Sequence, residues 1–134
     1  MSLPVSPEIE SLIADARLSA HLATSVDDRP HVAPVWFVYE NGTVSVLTGG
    51  KKLRNVVRNP RVALSIEHYD EGGVEWSVQL LGTAREIEDS GRIEAIQERM
   101  DAKYEGPYGT DGGEVEQEWA LIEITIGTAT YDTY

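Results

Sequence analysis

A chain of 134 residues with 12 Gly, 6 Pro and no Cys has room for one domain built around one hydrophobic core. Its 11 basic and 23 acidic residues give a formal charge of −12, which repels nucleic acid and anionic membranes at long range. Without Cys there are no disulfides, thiolate metal sites or cysteine nucleophiles, and 41% hydrophobic with 25% charged residues is the composition of a folded chain.

No apolar run approaches the roughly 18 to 20 residues of a bilayer-spanning helix, and the stretch from Met1 to Ile9 has neither a basic segment nor a long apolar one. A cytoplasmic protein with no membrane partner is expected. Lys51, Lys52 and Lys103 are its only lysines, and an acidic, lysine-poor surface is halophile-like, suited to a high-salt cytoplasm.

Ser6-Pro7 followed by Ile9, Leu12, Ile13 and Ala16 predicts a short amphipathic helix with an N-cap and a proline in its first turn. Leu18 to Thr24 alternates as a strand and ends at the turn Asp27-Asp28-Arg29-Pro30. His31 to Tyr39 is the next predicted strand, with Pro34 marking an edge or a bulge because it cannot donate to a ladder. Asn41-Gly42 closes a hairpin to Thr43–Thr48. Gly49-Gly50 breaks that strand, Lys51 to Arg58 reads as a helix with Leu53, Val56 and Val57 inward, and Asn59-Pro60 stops it.

Arg61 to His68 and Val74 to Ala84 form two further strands around the turn at Asp70-Glu71-Gly72-Gly73. Ser90 to Glu105 sets Ile93, Ile96, Met100 and Tyr104 on one helical face, Gly106 to Gly113 is a glycine-rich loop, and a last strand covers about Trp119 to Tyr131. The pattern is a mainly β fold with flanking helices, a small six-stranded barrel spanning residues 1–134 as a single domain.

Charge is distributed unevenly along this pattern. From Asn41 through Ile66 there is no Asp or Glu, while Lys51, Lys52, Arg54, Arg58 and Arg61 give +5; the rest of the chain, 6 basic against 23 acidic residues, carries −17. The cluster falls where a strand ends at Thr48-Gly49-Gly50 and a helix begins, so glycines permit close approach and the first helical N–H groups face outward. Lysine point charges, the Arg54 fork and the Thr48 hydroxyl suit the terminal phosphate of a small molecule. The two adjacent glycines, with no Ser or Thr after the lysines, are not a Walker loop. A solvated helix face is the bland alternative. A nucleic-acid module is the other, opposed by the acidic remainder and by the lack of any aromatic residue between Thr43 and Glu67 to stack on bases.

The ordered segments Ala23-Thr24, Arg29-Pro30-His31-Val32-Ala33-Pro34-Val35-Trp36-Phe37, Leu47-Thr48, Lys51-Lys52-Leu53-Arg54-Asn55 and Arg58-Asn59-Pro60-Arg61-Val62-Ala63-Leu64 resemble the pyridoxamine 5′-phosphate oxidase-like flavin-binding split barrels, from about Ile9 to Glu86. The resemblance implies a six-stranded split β-barrel, the FMN-binding split barrel, that forms a homodimer with FMN, or alternatively the deazaflavin F420, in a groove between subunits. It makes Lys51 and Lys52 the phosphate-binding pair supported by Arg54 and Asn55, and places Thr48 beside the ribityl chain. Pro34, Val35, Trp36 and Phe37 would line the flavin ring, while Ser77, Gln79 and Trp119 would approach it, the first two from the other subunit. Pyridoxamine oxidases proper carry basic residues near the C-terminus, whereas Leu121 to Tyr134 contains no Arg or Lys, so vitamin B6 synthesis is disfavoured.

The expected function is an FMN-dependent oxidoreductase moving hydride to or from a small molecule, with an F420-dependent reductase or a non-catalytic flavin-binding sensor as rivals. His31 and His21 read as surface or strand residues. No side chain is assigned a catalytic role, since neither a nucleophile elbow nor a metal-spaced His pair is present.

Overall fold

In the computed structural model, residues 4–104 and 120–134 are described. Helix α1 (Pro7–Ile13) starts where Ser6 Oγ accepts from the Ile9 N–H at 3.3 Å, with Pro7 pre-set for the first turn and Glu8 and Glu10 complementing its dipole. It buries Ile9 and Ile13. Tyr39 ties it to the sheet: the phenol donates to Glu10 Oε2 at 2.6 Å and accepts from the Gly42 N–H at 2.9 Å, and burial pushes its pKa up to about 12.

Strands β1 (Ala20–Val26) and β2 (Arg29–Val35) form a hairpin through Asp27 and Asp28, both at positive φ, as a type I′ turn requires. Strands β3 (Val38–Glu40) and β4 (Thr43–Thr48) turn through Asn41-Gly42 in the same way. After α2 (Gly50–Arg58) come β5 (Arg61–Asp70) and β6 (Gly73–Ile87), joined through Glu71 and Gly72, again at positive φ. Helix α3 (Ser90–Tyr104) and β7 (Ala120–Thr133) complete the described elements. None of the described helices is long and apolar enough to cross a membrane.

The strands form one antiparallel sheet in the order β2-β1-β5-β6-β7-β4-β3. Its two edges, β2 and β3, are consecutive in the chain, with only Trp36 and Phe37 between them. Val35 and Val38 can be at most about 11 Å apart along the backbone, whereas the edges of a flat seven-stranded sheet would stand ~29 Å apart. The sheet must therefore roll up, and the result is a barrel split between β2 and β3. The side chains of Phe37, Leu22, Ile66, Leu80, Ile122 and Ile124 fill it, all fully buried.

The strand expected over His31–Tyr39 is thus two strands, giving seven rather than six. The break is not at Pro34, which stays in register opposite His21; Pro30 and Pro34 both sit on an edge strand, where a missing N–H costs no ladder bond on the open side. It falls at Trp36–Phe37, where the Phe37 N–H goes to the Tyr104 hydroxyl at 3.3 Å and the Phe37 carbonyl accepts from Lys103 Nζ at 2.8 Å, instead of from a strand.

The long strand β6 shifts register between Leu81 and Gly82, and at Gly82 it lies close against β7. A Cβ there would lie 2.6 Å from the Thr125 carbonyl oxygen and 2.8 Å from an Ile124 methyl. Backbone cannot step aside as a flexible side chain would, so Gly82→Ala is expected to destabilise the chain by about 1–3 kcal/mol. Urea unfolding measures this, and an unchanged midpoint would mean that the bulge relaxes freely.

Candidate functional site

The cationic segment forms the corner between β4 and α2. Thr48 closes β4 opposite Ala120 of β7, Gly49 is extended, and Gly50 sits at φ +64°, a left-handed conformation suited to glycine. The N-terminus of α2 has no side-chain cap and no acidic residue in its first turn. Among the described residues, its leading N–H groups have no side-chain cap and the positive end of its dipole has no acidic residue in the first turn to offset it. Lys51 and Arg54 are exposed beside it and Lys52 is half-buried.

The far half of α2 is fixed. Buried Asn55 donates through Nδ2 to Thr24 Oγ1 at 3.0 Å, Val56 enters the core, Asn59 Nδ2 reaches the Ser25 carbonyl at 3.0 Å, and exposed Arg58 pairs with Asp27 at 3.3 Å. Asn55 is thus a structural tie as well as a neighbour of the cationic turn.

Two buried side-chain atoms lack hydrogen-bond partners among the described residues: Thr48 Oγ1 and His31 Nδ1. Thr48 is 1% exposed. A buried polar atom left unpaired costs about 1–3 kcal/mol, so each marks a place where a further hydrogen-bonding group would be stabilising. Thr48 stands immediately before the uncapped helix start. His31 lies on β2 directly opposite Thr24, the residue that receives Asn55. In the sequence His31 reads as an ordinary strand residue; the signal that sets it apart is its place in the inward alternation His31, Ala33, Val35, paired with Thr24, Leu22, Ala20.

The residues Pro34, Val35, Trp36 and Phe37 lie at the split. The β3–β4 register, Val38 opposite Ser45, runs the residues before β3 toward the Thr48 end of β4. Pro34 is exposed, Val35 buried, Trp36 half-buried and stacked on Tyr104 at 4.8 Å between ring centroids, and Phe37 wholly buried with its backbone groups engaged by α3. Ser77 and Gln79 lie mid-sheet on β6 rather than in the β4–α2 corner; Ser77 Oγ is 3.3 Å from the Tyr134 hydroxyl and Gln79 is exposed. Trp119 and the Gly106–Gly113 stretch lie outside the described residues.

On the outer face of the sheet, Val32, Ala23, Ala63, Leu81 and Thr128 form a row of direct cross-strand neighbours over five strands. Val32 is 63% and Leu81 55% exposed, and the alanines between them leave a shallow groove of about 550 Å³ that also touches Thr24, Arg61 and Gly82. Strand alternation hides this surface in the sequence, because alanines on the outward face read as neutral.

A rolled antiparallel sheet, split at one seam and carrying an anion-ready helix start beside that seam, defines the class. The family model for pyridoxamine 5′-phosphate oxidase matches residues 6–131, and the chain belongs to that family. Among solved structures it is similar to a FAD-binding protein from Mesorhizobium loti, with a TM-score of 0.75 and 20% identity over 94% of this chain and 93% of that one. An F420 reductase superposes with a TM-score of 0.68 at 25% identity, covering 90% of this chain and 94% of its own. A FAD binding protein from Mycobacterium smegmatis does so with a TM-score of 0.66 at 24% identity, covering 96% of each. A search of curated proteins gives no match.

Proposed function

We propose that this chain binds FMN by its phosphate at the start of α2 and serves as an oxidoreductase that moves hydride to or from a small molecule. The observation that carries the reading is the buried Thr48 hydroxyl, without a hydrogen-bond partner among the described residues, directly before a helix N-terminus with no side-chain cap and no acid in its first turn. Lys51, Lys52 and Arg54 would neutralise the phosphate, with the first N–H groups of α2 completing its shell. Thr48 would meet the adjoining polar chain, and Pro34, Val35 and Trp36 would lie along the ring. Bound FMN supplies a ring that accepts or gives up a hydride; the chain's part is orientation and exclusion of water.

The outward Val32–Leu81 row is proposed to be covered by a second copy of the chain, which brings Ser77 and Gln79 of one subunit toward the ring held by the other. F420 is the second reading, supported by the likeness to the F420 reductase at 25% identity. Titrating the purified protein with FMN and with F420, following absorbance and fluorescence, is expected to show saturable binding of FMN. Multiple turnovers with NAD(P)H and an oxidant separate an enzyme from a binding module. Leu81→Asp is expected to give a monomer by sedimentation and to lose FMN binding; a dimeric variant with intact binding would dismiss the shared interface, and binding of F420 alone would reassign the cofactor.

A further inference from the structure

Between the end of α1 and the last turns of α3 lies a pocket of about 430 Å³ walled by Ala14, Asp15, Arg17, Val38, Arg99 and Lys103. It shares no residue with the β4–α2 corner, and its chemistry does not depend on flavin binding. Three of the 11 basic residues of a strongly acidic chain meet here. Arg99 and Lys103 stand four apart on one face of α3, Arg17 comes from the segment between α1 and β1, and Arg99 is held by Glu40 at 2.7 Å.

Lys103 is held unusually firmly for a lysine. Its Nζ donates to the Phe37 carbonyl at 2.8 Å and lies 3.6 Å from the centre of the Phe37 ring. Burial pushes its pKa down to about 8; Arg99 acts in the same direction and Asp15 against it. Roughly a tenth of this amine is therefore neutral, and so nucleophilic, near pH 7, far more than of a solvated lysine.

We propose that Lys103 takes a small 2-oxo acid, a carbonyl compound with an adjacent carboxylate, as a reversible imine in this pocket. The amine lone pair attacks the carbonyl carbon and a C–N bond forms; the carbonyl oxygen takes one proton from the amine nitrogen and one from solvent by way of Asp15, and the C–O bond breaks to release water and leave the protonated imine. Nothing is oxidised or reduced. The protonated imine keeps one N–H, enough to hold the Phe37 carbonyl, and its charge stays over the Phe37 ring. Arg17 and Arg99 take the carboxylate, Asp15 is the wall carboxylate that can relay the proton, and Val38 with Ala14 offers an apolar surface to a short side chain.

The test incubates the full chain with glyoxylate and borohydride, which fixes any imine as a carboxymethyl group, and then maps the modified peptides. With three lysines in the sequence the readout is unambiguous. Lys103 is expected to be modified roughly tenfold or more over Lys51 and Lys52. Arg17→Gln is expected to lower that preference for glyoxylate while leaving reductive labelling by acetaldehyde, which has no carboxylate, unchanged. Even labelling of the three lysines, an unmodified Lys103 in the folded chain, or equal Lys103 preference for glyoxylate and acetaldehyde would each overturn the proposal.

Discussion

Replacing Lys51 and Lys52 together by alanine is expected to weaken FMN binding by roughly 10²–10⁴-fold, because each charge-assisted hydrogen bond to phosphate contributes about 1.5–3 kcal/mol. For Lys51→Ala alone, unfolding stability is expected to change by less than about 1 kcal/mol, since an exposed charge adds little to folding. Lys51 is exposed and Lys52 half-buried, so Lys51→Ala alone serves as the control in which only the solvent-facing charge is lost. Riboflavin, which lacks the phosphate, separates the causes. If its affinity falls as much as that of FMN, the substitutions have disturbed the ring site or the fold; if FMN affinity is unchanged, the phosphate does not sit at α2.

Much of the fold is legible because its turns and breaks are written in residues with few alternatives. Asn41-Gly42 and Glu71-Gly72 occupy positive φ, and β4 ends at Thr48, directly before the Gly49-Gly50 break. Strand β4 and the boundaries of α2 and α3 agree with periodicity to within a residue or two. Local pattern does not locate the passage from one sheet edge to the other. Val35-Trp36-Phe37-Val38 is as β-prone as its flanks, and the break is dictated by α3, which lies more than 60 residues away and takes the backbone groups of Phe37.

The candidate site is legible in charge but not in polarity. An acid-free window of +5 in a chain of −12 is visible without coordinates, and its placement at a helix start comes from the two glycines. That Thr48 Oγ1 and His31 Nδ1 are buried without partners among the described residues is invisible at that level, because satisfaction of a side chain depends on what packs around it in three dimensions. Asn55 shows the same limit from the other side. Grouped with the lysines by sequence, it turns inward to Thr24, whereas Arg54, its neighbour, stays exposed.

The seam of the barrel is closed by Tyr104, and Tyr104→Phe is expected to destabilise the chain by about 2–4 kcal/mol. The hydroxyl donates to the Leu18 carbonyl at 2.8 Å while accepting from the Phe37 N–H at 3.3 Å, so its removal leaves a donor and an acceptor without this partner at a part-buried crossing. The stacking of the ring on Trp36 survives the change, which assigns the loss to the hydroxyl. The neighbouring Lys103 makes the same seam respond to pH. Its pKa is about 8 in the folded chain against an ordinary 10.5, so between about pH 8 and pH 10 the unfolded chain binds more of this proton and the contribution of Lys103 to stability rises with pH. Above pH 10 the sign reverses: unfolded tyrosines ionise near 10.0, while burial holds Tyr39 and Tyr104 protonated up to about 12, and their contribution falls. Urea unfolding of the wild type and of Lys103→Met across pH 7 to 10 reads the lysine's part directly, because the net charge of the rest of the chain is common to both. The wild type should gain on the variant as pH rises through 8; a constant difference would mean that Lys103 is as solvated as Lys51, and that the seam is held by Tyr104 alone.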